Sequence, residues 1–190
     1  MKVTKEQSAE NKERVIEVAG RLFRERGFDG IGVVDLMKEA GLTHGGFYKQ
    51  FESKEDLMAQ ATDRALLAAM DGWQAAVEGS ERPLDGLLSW YVSPRHRDAP
   101  GLGCVLTALG PDASRQGEGV RNAITSGVRR FVDVLKRCVA GESTAARREH
   151  ALATLSSMVG AVVLARAVND EALSRDLLRA VRRRLADYNA

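Results

Sequence analysis

Residues 33–56, VVDLMKEAGLTHGGFYKQFESKED, most constrain how this chain folds: three pieces of helix signal are separated by two tight breaks. In the first piece Val33, Leu36, Met37 and Ala40 recur on one helical face. Gly41 follows where a helix C-terminus favours a residue that tolerates a left-handed backbone, and Leu42 supplies the apolar contact that accompanies such a stop. Thr43 is placed to cap a second helix over 44–51 by accepting a backbone N–H bond, with Phe47 and Phe51 four apart and facing inward. Ser53 and Asp56 then form a Ser-x-x-Asp pair that opens a third helix. Two helices joined by a short glycine-containing turn make a helix-turn-helix, the pattern of a DNA-reading motif.

The second motif helix gives up stability where it begins. His44, Gly45 and Gly46 fill its first turn, and each helical glycine costs about 1 kcal/mol relative to alanine. In a helix-turn-helix the start of this helix enters the major groove. Bare backbone there permits close approach to bases and phosphates, and a helix N-terminus favours an anion. Thr43, His44, Gly45 and Gly46 are therefore candidate DNA contacts. Lys49 points outward and is either a base-edge donor to guanine or a phosphate contact.

GLTHGGFYKQFESKEDL resembles the DNA-binding signature of the tetracycline-repressor (TetR) family of bacterial transcription regulators. Phe47-Tyr48, Phe51 and Ser53-Lys54-Glu55 carry the resemblance most specifically, and it covers residues 15–57 closely. It implies that Tyr48 and Lys54 bond phosphate. It also implies a homodimer on a palindromic double-stranded operator and a small-molecule effector bound in a C-terminal helical domain. One position departs from the pattern. The family often places a hydroxyl residue at the start of the first motif helix; here Ile31 and Gly32 stand there, and that phosphate contact is not carried over.

The rest of the chain fits an all-α protein with a three-helix head over 1–53 and a larger C-terminal effector-binding and dimerisation domain over 54–190. Residues 1–10 read as a polar arm; Lys2 and Lys5 are candidates to touch phosphate, but a solvated tail is the better reading. A first helix over 11–26 places Val15, Val18, Ala19, Leu22 and Phe23 on one face. A long helix from Lys54 carries Leu57, Ala61, Ala65, Ala69 and Trp73, and a shorter one over 84–92 follows Pro83. SPRHRDAP (93–100) reads as a polar loop, 101–109 as a buried helix broken by Gly110-Pro111, and 120–140 as a helix. The last two helices carry Leu152, Leu155, Val159, Val162 and Leu173, Leu177, Val181, Leu185. They either cover the core alone or pair with the same helices of a second copy. The second arrangement is preferred, because a palindrome offers two half-sites about 34–36 Å apart.

Met70, Trp73, Trp90, Tyr91, Cys104, Phe131 and Met158 are candidates for an apolar effector cavity, although each taken alone is better read as buried core. Cys104 follows Gly-Leu-Gly at an expected helix start, where a thiol pKa falls. That makes a thiol sensor of oxidants or electrophiles an alternative to a reversible effector; a non-DNA-binding helical interaction module is a third reading. The net charge of +2, and ten Lys/Arg against nine Asp/Glu over 1–54, leave DNA affinity to charge placement, not bulk attraction. Two distant cysteines make neither a disulfide framework nor a zinc site. No cofactor, metal or enzyme signature is present. The longest apolar run, 158–165, is shorter than the roughly 20 residues a bilayer needs, so the expected setting is cytoplasmic with no membrane partner.

Overall fold

The computed structural model describes residues 4–188, so Lys2 lies outside the described residues. Among those described there are helices and no strand. The first helix, α1 (Lys5–Arg26), starts six residues earlier than its apolar face suggests. Thr4 caps it by accepting from the Gln7 N–H at 3.1 Å. Once the buried part is nucleated, extension through good helix formers costs little, so the expected polar arm is helical from Lys5. Gly27, at φ +78°, stops α1, and the Gly27 N–H donates to the Phe23 carbonyl.

α2 (Val33–Glu39) ends as its sequence demands. The Leu42 N–H reaches the Met37 carbonyl at 2.8 Å and the Gly41 N–H reaches Lys38 at 3.0 Å, a Schellman stop with Gly41 at φ +71°. The second motif helix differs from expectation. His44–Lys49 is a single 3₁₀ stretch, and Thr43 makes no side-chain cap. The Gly46 N–H bonds the Thr43 carbonyl instead, at 3.0 Å. With two glycines and no side-chain acceptor, the first turn tightens to i→i+3 bonds. Phe47 and Phe51 still face inward, with ring centroids 5.3 Å apart.

α3 (Lys54–Glu78) opens on the expected serine cap: the Asp56 N–H donates to Ser53 Oγ at 3.0 Å. The Asp56 carboxylate accepts from the Glu52 N–H, one residue earlier than a strict capping box requires. α3 passes from the head into the body and packs against α1, α4 (Pro83–Tyr91) and α7 (Glu118–Leu135). There Trp73 stacks on Phe131 at 4.4 Å and 16°, with Tyr91 edge-on at 5.6 Å.

Two expected breaks in the body are helical. Ser93 caps a short α5 (Pro94–Asp98), accepting from the His96 N–H, with Pro94 in the first turn where its missing N–H costs nothing. A 3₁₀ turn, Pro100–Leu102, leads to α6 (Val105–Ala113), which runs through Gly110-Pro111. Interior proline costs about 3 kcal/mol. Burial of Leu106, Leu109 and Ala113 offsets part of that cost in the final turns. Conversely, α7 stops at Leu135, five residues short of expectation, in tight turns that include the Cys138 N–H bond to Leu135.

α8 (Thr144–Ala167) and α9 (Glu171–Tyr188) pack on each other, and α8 also touches α5, α6 and α7. By length and composition α8 is apolar enough to cross a membrane. The eight-residue run judged by sequence alone understated this, because the alanines and small residues around it also count. α8 packs on four neighbouring helices through one face, so that 39% of its most apolar stretch is buried in the chain.

Candidate nucleic-acid interface and effector cavity

The motif presents one face to the core and one to solvent. Leu36, Met37, Ala40, Phe47 and Phe51 are buried, while Thr43, His44, Gly45, Tyr48 and Lys49 are exposed. Tyr48 is 67% exposed and is held edge-on by Phe47 at 5.1 Å and by His44 at 6.0 Å. Its ring is fixed from behind while its hydroxyl is left to solvent, an arrangement suited to bonding phosphate. Beyond the adjacent residues and the backbone of its own turn, no atom of the described residues lies within 4 Å of a Cβ placed on Gly45, so packing does not require glycine there. Gly46 is half-buried, in ordinary contact with Met37. Lys54 is half-buried at the first position of α3. Gly32 caps α2 without a side-chain bond and Ile31 is buried, so no hydroxyl reaches outward at that start.

The expected cavity residues part company. Tyr91, Phe131 and Met158 are fully buried core. Met70 borders a separate open groove of about 740 Å³ beside Arg130, Arg137 and Arg147. Trp73, Trp90 and Cys104 share a cavity of about 300 Å³, and with them stand Arg24, Arg95 and His96, which sequence reasoning missed. The first of these belongs to the head helix; the other two belong to what reads as a polar loop. Only the Ser-Pro pair at 93–94, a cap followed by a first-turn proline, signalled that the loop is helical and therefore ordered.

The cavity wall is tied together by hydrogen bonds. Arg24 forks onto the Gly101 carbonyl through Nε at 2.9 Å and Nη2 at 2.5 Å. His96 Nδ1 lies 2.7 Å from the Tyr91 carbonyl, and Nε2 accepts from the Cys104 N–H at 2.9 Å. That pairing requires the neutral ring with its proton on Nδ1. Burial pushes the His96 pKa down, against the opposing bond to Tyr91. Arg166 from α8 holds α5 from behind, donating to the carbonyls of Arg97 at 2.9 Å and His96 at 2.6 Å and to Thr107 Oγ1 at 2.9 Å. Burial lowers the Arg166 and Arg24 pKa values, the cost of keeping a guanidinium out of water.

Cys104 caps α6, but its thiol is not activated. It is 5% exposed, and burial raises its pKa, outweighing the opposing pull of the Tyr91 hydroxyl and of two backbone N–H groups. The expected fall in thiol pKa does not occur, because desolvation outweighs the helix start. The Tyr91 hydroxyl, beside that sulfur, is buried without a hydrogen bond of ordinary geometry.

The expected dimer residues divide similarly. Leu155, Val162 and Leu185 point into the core of this protomer. Leu152, Val159, Leu177 and Val181 are half-buried, and Leu173 (47%) and Leu164 (52%) are exposed. Ala153, Ser156, Ser157, Gly160 and Ala167 form a small-residue stripe along α8, exposed except at the half-buried Ser157 and Gly160, with Leu164 exposed beside them. No group of three or more His, Cys, Asp or Glu positioned for a metal occurs among the described residues.

A helix-turn-helix head on an all-helical body is the architecture of a DNA-binding transcriptional regulator. The sequence model of the tetR family of bacterial regulatory proteins matches residues 15–61, the helix-turn-helix head and the start of α3. The uncharacterized HTH-type transcriptional regulator YvdT of Bacillus subtilis is 29% identical over 91 residues, 45% of this chain and 47% of YvdT. The HTH-type transcriptional repressor DhaR of Mycobacterium sp. is 24% identical over 128 residues, 67% of this chain and 65% of DhaR. The matched stretches thus span less than two thirds of either relative. The reduced form of Escherichia coli NemR superposes with a TM-score of 0.80 at 22% identity, covering 95% of this chain and 97% of that one, a likeness of fold.

Proposed function

We propose that this protein is a homodimeric repressor of the cytoplasm that releases a palindromic operator when a small molecule fills the cavity around Trp73, Trp90 and Cys104. In this reading residues 1–53 form the head and 54–190 the effector and dimer domain, with no catalytic activity. Thr43, His44, Gly45, Gly46, Tyr48, Lys49 and Lys54 meet DNA. The observation that carries this is Tyr48: a large aromatic 67% exposed beside Lys49, on a helix-turn-helix whose other aromatics are buried. A ring braced on Phe47 and left to solvent is suited to contact outside the chain. Two copies pair through the small-residue stripe of α8 together with Leu173, Leu177 and Val181 of α9. Their heads then address two half-sites. The effector acts by differential affinity: a molecule that fits the cavity better in a head-apart state weakens operator binding by that difference.

The test is selection of duplexes from a random DNA pool by the purified protein, repeated with Tyr48→Ala and Lys49→Ala. An enriched palindrome is expected, with affinity falling roughly tenfold or more in each variant, and with Lys49→Ala lowering the salt slope by about 1 if it contacts phosphate. A folded dimer that enriches nothing, or variants that select as well as the parent, would sink the proposal.

A further inference from the structure

We infer that the effector is a small organic anion with a flat apolar body, and that Arg24 is the group through which this anion acts on the head. This rests on the effector reading above and specifies the chemistry of the same cavity. Arg24 and Arg95 both line it, and no aspartate or glutamate does. Neither guanidinium has an ion-pair partner among the described residues: Arg24 bonds only the Gly101 carbonyl, and Arg95 bonds nothing. A partly buried guanidinium whose hydrogen bonds reach only a carbonyl, and whose neighbouring carboxylate Glu25 is ion-paired with Arg21, is under-compensated. A carboxylate from outside would supply the missing charge and a two-pronged acceptor.

The remaining walls set the body of the ligand. Trp90, 43% exposed, gives flat apolar surface with the buried Trp73 behind it, and Gly72 lets the Trp90 ring lie against α3, since a Cβ there would meet it at 2.9 Å. Trp73 is 0% exposed and its indole N–H has no acceptor, so a buried donor beside the cavity is unanswered within the chain. A volume of about 300 Å³ has room for a one- or two-ring acid but not for a long chain.

Arg24 supplies the link. It stands on α1, which packs on α2 and carries Lys12 over the Phe51 ring of the motif, and its fork on Gly101 ties α1 to the turn before α6. A carboxylate that draws this fork into the cavity competes with the Gly101 carbonyl and loosens that tie. The charge of the ligand is thereby converted into a change in how α1 sits on the body.

The probes are sodium benzoate, cinnamate and 2-naphthoate, each titrated calorimetrically into the full chain against its own uncharged amide. At least one acid should bind tenfold or more tightly than its amide. That preference should vanish in Arg24→Gln/Arg95→Gln, and the bound acid should weaken operator binding in the parent but not in Arg24→Gln. Amides that match their acids, the absence of binding by all three acids, or a preference that survives the double variant would each overturn the inference. An acid that binds with the charge preference yet leaves operator affinity unchanged overturns the role of Arg24. Should Arg24→Gln fail to fold, Arg95→Gln, at an exposed and unbonded residue, tests the charge requirement alone. Operator selection by the ligand-free protein does not involve the cavity, so failure here is distinguishable from failure of the DNA-binding reading.

Discussion

In the head, helix boundaries are set by residues lying within a few positions of the boundary itself; in the body, several are set by what packs on them. Gly27 and Gly41 end α1 and α2 through left-handed backbone, and Ser53 starts α3 by a bond to Asp56. α6 instead runs through Pro111 because buried side chains hold its last turn, and α7 ends five residues before its apolar pattern does. The difference follows from purpose. A reading motif must hold one turn geometry in three short elements, and local stops define it. The body has only to fill space around Trp73 and Phe131, and many helix lengths achieve that.

The comparison is tested hardest by Phe131→Ala. Removing a fully buried ring stacked on Trp73 should cost about 3–5 kcal/mol in denaturant unfolding. A loss under 1 kcal/mol would show that the body is not centred on this pair. Gly41→Ala should cost about 1–2 kcal/mol, because φ +71° is strained for any residue with a Cβ even though the space there is open. If its thermal midpoint matches the parent, the stop between the motif helices is not fixed by backbone geometry. Ser53→Ala should cost about 1 kcal/mol by orphaning the Asp56 N–H, and Ser53→Asp should recover most of it. Failure of aspartate to rescue would mean that the serine acts other than as a cap.

The smallest effect is expected from His96. Its pKa is lowered by burial, so the unfolded chain takes up this proton more readily than the folded one. Its contribution is fully present above the ordinary histidine value near 6.5 and is lost as pH falls from there through the depressed folded value. His96→Gln should flatten the stability–pH profile in that window. A parent profile that rises on acidification would contradict the neutral, doubly bonded ring.

The motif was legible because its signals are short in sequence. The spacing from Leu36 to Met37 to Ala40, the Gly41-Leu42 stop, the Phe47–Phe51 pair and the Ser53 cap each act within five residues, and the structure holds all of them. Thr43 failed as a side-chain cap for a reason that spacing does not reveal: two glycines let the backbone tighten and bond the Thr43 carbonyl instead. The face of α1 was read correctly and its start was not, since extension over Lys5 to Glu10 depends on Thr4 and on an already nucleated helix.

By itself, the sequence determined an all-helical chain with a DNA-reading head, its inward aromatics and its exposed Tyr48 and Lys49. Periodicity and caps are local, and local patterns survive without knowledge of the partner. Only the tertiary structure decided that Arg24, Arg95 and His96 share one cavity with Trp73, Trp90 and Cys104, that Tyr91 and Phe131 lie outside it, and that the Cys104 thiol is raised by burial. Cavity membership and desolvation depend on residues up to 80 positions apart meeting in space, Arg24 and Cys104 among them, and no one-dimensional pattern records that meeting.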